Sequence, residues 1–84
     1  MASTHRLLGP DGIVRTPEEE GHLNELLAGV FSSGGGKDAL AYLRSITIEA
    51  VGGPSITDSE LRHREGMRYV VAIIEQRIAK GKEK

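Results

Sequence analysis

The run from Ser55 to Lys80 constrains the fold more than any other part of this 84-residue chain. Thr57-Asp58-Ser59-Glu60 is a helix start of the capping-box type, in which a threonine and a glutamate three residues on satisfy each other's backbone donors. Leu61, Met67, Val70, Val71, Ile74 and Ile78 then recur at helical spacing, with Ile73 widening the stripe. Lys80 suits the negative end of the helix dipole, and Gly81 supplies a stop. The pattern predicts a helix from Asp58 to Lys80, roughly 35 Å long at 1.5 Å per residue. A rod of that length with one greasy side must lay it against something.

Two further helices are available to cover it. Thr16-Pro17-Glu18-Glu19 is another start signal, with threonine as the cap, proline at the first helical position and glutamate completing the box. Leu23, Leu26, Leu27, Val30 and Phe31 follow as one stripe, giving a helix over Pro17–Phe31. Ser32-Ser33-Gly34-Gly35-Gly36 ends it, and the glycines read as an interhelical turn, since neither P-loop spacing nor a preceding strand accompanies them. The next helix is predicted over Lys37–Ala50, with Leu40, Leu43, Ile46, Thr47 and Ala50 inward, and Gly52-Gly53-Pro54 closes it. Before all of this, two short apolar arms, Leu7-Leu8 and Ile13-Val14, flank Gly9-Pro10-Asp11-Gly12, where proline and glycine fit a tight turn.

The expected fold is therefore all-α: a three-helix up-down bundle over residues 16–81, an extended or hairpin-like arm over 1–15, and a solvated tail at 82–84. One hydrophobic interior shared by three amphipathic rods is the premise of that reading. A chain of this size buries only about 60% of its unfolded surface. It has no cysteine and only three aromatic residues, Phe31, Tyr42 and Tyr69, so disulfides and thiolate metal sites cannot reinforce the core. Partner binding or self-association is the remaining source of stability.

Charge is segregated along the chain. Residues 16–61 carry eight acids against Lys37 and Arg44, whereas residues 62–84 carry seven basic groups against three acids. Such polarity suits attraction within one fold, or docking on a partner or on a copy of the same chain. Nothing at the N-terminus has the apolar core of a secretory signal, and no apolar run approaches the ~20 residues of a membrane span. A soluble protein made in a cytoplasm is expected.

No constellation of residues announces chemistry. His5, His22 and His63 are scattered, without a second ligand at helical spacing, and zinc needs three or four converging ligands. No nucleophile is set beside a base. Catalytic, cofactor and metal sites are accordingly none, and the protein is expected not to be an enzyme. Arg62, Arg64, Arg68, Arg77, Lys80 and Lys82 form a basic end that suggests phosphate contact, but the first three do not share a continuous face with Arg77 and Lys80. Gly66 interrupts the long helix at a cost of about 1 kcal/mol, which close helix approach would offset, with Phe31 or Tyr42 filling the space. Glu65 and Arg68, three residues apart, can pair on its surface.

Two of these segments resemble a known family. Val30-Phe31-Ser32-Ser33-Gly34-Gly35-Gly36-Lys37-Asp38-Ala39-Leu40-Ala41-Tyr42-Leu43 looks like the opening of a small tailed-phage domain family named after a Bordetella phage protein. Its second motif, an aromatic-x-Glu-Gly-x-Arg-x-Val helix, is similar to His63-Arg64-Glu65-Gly66-Met67-Arg68-Tyr69-Val70. The likeness spans about residues 24–80 and departs at His63, where an aromatic is common, and in the lengthened glycine turn. It implies a non-enzymatic virion component or assembly accessory, made in the bacterial cytoplasm and docking on a capsid, portal or tail protein, and on itself in multiple copies. In that reading Glu65, Gly66 and Arg68 are structural, while Leu7, Leu8, Ile13, Val14, Arg62, Arg64 and Arg68 face the partner, the arm adding a strand to its sheet edge. A nucleic-acid-binding accessory, for packaging or repression, and a phage-encoded inhibitor of a host protein are the alternatives.

Overall fold

A computed structural model describes residues 6–83. Its elements are β1 (Leu7–Leu8), β2 (Val14–Arg15), α1 (Pro17–Val30), α2 (Gly34–Ile46) and α3 (Asp58–Gly81). The chain is mostly helical, with three helices as expected; the arm, expected as extended or hairpin-like, forms the small antiparallel hairpin β1–β2, in which Leu7 pairs with Arg15 and Leu8 with Val14, so the fold is not purely all-α. His5 and Lys84 lie outside the described residues.

Local chemistry explains each start. Thr16 accepts the Glu19 N–H while Glu19 takes the Thr16 N–H, so both halves of the first box are made. Thr57 accepts the Glu60 N–H, and the Glu60 carboxylate receives the Thr57 hydroxyl instead of a backbone donor. Ser33 caps α2 by accepting the Gly36 N–H. The three glycines thus form the first turn of α2, not the loop before it. At Gly36 a side chain would run into the Val30 carbonyl and the Phe31 backbone, so glycine lets α2 leave α1 at a tight corner.

α2 also ends earlier than expected, at Ile46. Thr47 leaves helical geometry, with φ −126° and ψ −82°, and the Arg44 carbonyl accepts from both Thr47 and Glu49. The β-branched run Ile46-Thr47-Ile48 favours that departure. Arg68 of α3 then receives the freed end: its Nε donates to the Thr47 carbonyl at 3.2 Å and its Nη2 to the Ala50 carbonyl at 2.5 Å.

Helix directions follow from the contacts. Arg77 meets Glu20 and Asn24, and Gly81 meets Asn24 and Ala28, so α1 and α3 run parallel. Arg44 pairs with Glu75 while Thr47 meets Arg68, so α2 runs antiparallel to α3. α1 and α3 are the closely packed pair. At Gly81 any side chain would strike the Asn24 carbonyl and the Ala28 methyl, so the two helices approach closely there. α2 touches α3 mainly through the Arg44 and Arg68 contacts.

The expected shared greasy interior is therefore corrected. Among the described residues only Ala28, Val71 and Ile78 are buried hydrophobics, accompanied by buried Glu20, Thr47 and Arg77, and no side chain is completely enclosed. The molecule measures 56 × 31 × 14 Å, and its 14 Å thickness is little more than one helix diameter. Its radius of gyration is 15.5 Å, whereas a compact chain of this length would have about 12 Å. The helices lie side by side in one layer rather than closing round a core.

Candidate interaction surface

The N-terminal arm is strapped to the helices by charge. Gly12 takes a positive φ of 82° after Pro10 and Asp11, its N–H donating to the Gly9 carbonyl at 3.0 Å. Asp11 accepts the Ile13 N–H at 3.0 Å, and its carboxylate points back to Arg15, whose Nη1 and Nη2 reach Oδ1 at 3.2 Å and Oδ2 at 2.9 Å. The same Arg15 donates to Glu20 Oε2 at 2.8 Å. From α3, Arg77 donates to Glu20 Oε1 at 2.9 Å and Asn24 Oδ1 at 3.1 Å, and its Nη2 lies 3.4 Å from Asp11 Oδ2. Two arginines and two carboxylates thus join the turn, α1 and α3. Tyr69 adds a hydroxyl hydrogen bond to the Pro10 carbonyl at 2.5 Å.

This cluster is the most buried ion-pair assembly among the described residues. The Arg77 side chain is 4% exposed and that of Glu20 is 10% exposed. Hydrogen bonds from Arg15, joined by the Ile13 N–H, hold the Asp11 carboxyl down to about 2. Glu20 is held below the usual carboxylate range, chiefly by Arg77 and then Arg15, against the opposing effect of burial. The Arg15 guanidinium is pushed further up by Asp11 first and Glu20 second.

With its base locked, the hairpin turns apolar side chains outward. Leu7, Ile13 and Val14 are about half exposed, and Leu8 is 74% exposed. These are the arm residues assigned to partner contact from sequence. Arg62 is exposed and Arg64 is partly covered, both on the first half of α3. Arg68 is only partly available, because its guanidinium caps the end of α2 and lies 3.6 Å from Glu65. Arg77 is withdrawn from the surface altogether. The basic end therefore presents a shorter cationic footprint than its composition suggests.

Gly66 requires a correction. It sits on an exposed part of α3, and a methyl group there would meet nothing within 4 Å, so neither Phe31 nor Tyr42 packs into its place. The close approaches belong to Gly36 and Gly81. His22 lies in a shallow dip with Arg15, Glu18, Glu19 and Leu23, while His63 lines a separate groove with Ile46, Ser59, Glu60, Arg64 and Met67. No cluster of three metal-ligating side chains forms among the described residues. No helix of the described residues is long and apolar enough to cross a membrane.

Sequence reasoning missed the Asp11–Arg15–Glu20–Arg77 cluster. One signal was present: Arg77 falls between Ile74 and Ile78 and four residues before Gly81, inside the apolar arc of α3. Glu20, Asn24 and Ala28 likewise share one side of α1 at four-residue spacing. No family model, curated protein or solved structure matches this chain.

Proposed function

We propose that this protein is a non-enzymatic docking module: a phage virion component or assembly accessory that binds a capsid, portal or tail protein. The observation that carries the docking role is the hairpin. An isolated two-stranded hairpin is marginal in water, yet this one is tied to α1 and α3 by four charged groups while Leu8 and its neighbours remain uncovered. A rigid, apolar, two-stranded tab is pre-organised for contact with a sheet edge or an apolar groove, because little ordering entropy is left to lose on binding. The three helices serve as the up-down bundle that holds this tab, opened on one side rather than closed.

The phage context comes from the likeness around Phe31–Leu43 and His63–Val70, which implies a structural module of a tailed particle. Burial of Arg77, with Arg68 engaged at the end of α2, favours a protein partner over nucleic acid. Mass spectrometry of purified particles from a host encoding the chain is expected to find it. Particles that lack it exclude the virion component. The accessory form of the reading fails if Leu8→Asp and Ile13→Asp leave capture of capsid, portal and tail proteins unchanged.

A further inference from the structure

The molecule carries two leftover apolar faces of opposite character. The side of α3 that meets α1 at Arg77 and Gly81 continues toward the N-terminus, at helical spacing, as Ile74, Met67 and His63, beyond the start of α1. There it opens into a groove of about 440 Å³ with Ile46 and Met67 as its apolar floor. Arg64 and His63 line its rim, and its one acid, Glu60, is engaged by the Thr57 hydroxyl. On α1, the residues facing α3 are Glu20, Asn24 and Ala28. Turned away from them is a second stripe of Leu23, Leu26 and Val30, with Leu26 50% and Val30 53% exposed. Glu18 and Glu19 stand exposed at its start.

We propose that these two faces are the halves of one contact between copies of this chain. The acid-flanked stripe of α1 in one copy seats in the basic-rimmed groove between α2 and α3 of the next. Leu26 and Val30 of the stripe and Ile46 of the groove are left about half exposed, and the charges that flank the two faces are of opposite sign. The accessible surface is 6001 Å², about 1,100 Å² more than a compact chain of this mass exposes. That surplus is of the order of the roughly 800 Å² each partner contributes to a standard interface. The contact is a helix in a groove. Because stripe and groove differ, it is head-to-tail: it builds a ring where the rotation closes and a filament where it does not.

The test is sedimentation velocity of the full chain over a concentration series, with helix content followed by circular dichroism. The wild type is expected to give species heavier than its 9.1 kDa monomer that grow with concentration and recede with added salt. Leu26→Asp destroys only the stripe and Ile46→Asp only the groove, so each alone is expected to be monomeric and helical. Mixed in equal amounts, they are expected to form a one-to-one complex and nothing larger, since one intact stripe and one intact groove remain. If either substitution reduces helix content, Glu18→Lys and Arg64→Glu carry the same test: each alone weakens association and the mixture restores it. A wild type that stays monomeric up to about 1 mM, at the weak end of measurable association, overturns the self-contact in favour of an external partner helix. So does a mixture that associates no better than its components. The outcome is separable from particle docking: a monomeric wild type still found in particles removes the self-contact alone, and assembly without incorporation removes the virion component alone.

Discussion

Replacing Arg77 by methionine should be the most damaging single change that leaves helix propensity intact. Methionine keeps the apolar stem and is as good a helix former as arginine. What is lost is the guanidinium that bridges Glu20, Asn24 and Asp11. Removing one member of a buried ion pair costs about 3–5 kcal/mol, because the remaining charge is stranded. Arg15 still holds Glu20 at 2.8 Å, which puts the loss near the lower end, about 3 kcal/mol. For a domain of this size that corresponds to a fall in Tm of about 12–24 °C. Urea unfolding followed by circular dichroism measures it directly. The double change Glu20→Leu with Arg77→Leu removes both charges and should recover most of the loss, leaving Arg15 paired with Asp11. The pH dependence supplies an independent check. Both carboxylates have depressed folded-state values, Asp11 at about 2 and Glu20 below its ordinary range. Their contribution is present above the unfolded values near 4 and is lost as pH falls toward about 2. In Arg77→Met that acid slope should flatten, since Glu20 has lost its main partner. A loss below about 1 kcal/mol together with an unchanged acid slope would show that the cluster is a surface ornament.

Other substitutions test the remaining contacts. Gly66→Ala should stabilise by about 0.5–1 kcal/mol, raising Tm by several degrees, because the site is open and alanine is the better helix former; a destabilised variant would reveal a neighbour at this position. Gly81→Ala should do the opposite and lower Tm, since a methyl there meets the Asn24 carbonyl; an unchanged Tm refutes the close approach of α1 and α3. Thr57→Ala removes the cap of α3 and should cost about 1 kcal/mol in urea unfolding. Arg68→Ala should free the end of α2, seen as faster amide exchange over Ile46–Ala50 with protection in α1 retained; equal exchange in both proteins rejects the capping role.

The elements were legible because their punctuation is local. Thr16-Pro17 and Thr57 act on backbone groups within three residues, so the sequence alone shows where α1 and α3 begin. Helix ends depend on side chains from elsewhere. α2 stops at Ile46 with Arg68 waiting 21 residues later to receive the Thr47 carbonyl. The glycines after Ser33 read as a loop because their entropy cost is visible and the corner that Gly36 makes with Val30 is not. The helical period found the apolar stripes, but it ranks Leu26 and Val30 with residues that become covered, since periodicity gives a face and not the partner for it.

The ionic cluster escaped for a deeper reason, which also explains why it suits this fold. A charge inside an apolar arc has two readings from sequence, a snorkelling surface group or a buried partner, and only three-dimensional proximity distinguishes them. Here the proximity comes from Ala28 and Gly81, whose small size brings α1 and α3 close enough for Arg77 to reach Glu20 across 57 residues of chain. A pair of helices with so little enclosed apolar surface could slide by one turn with modest change in hydrophobic burial. Sliding would separate Arg77 from Glu20 and Asn24 and leave charge without compensation in a covered site, a penalty of several kcal/mol. The cluster thus sets the register that so thin a core cannot set by shape, and through Asp11 it transmits that register to the hairpin. Position of the exposed tab and alignment of the two helices are consequently one variable, controlled by the same guanidinium.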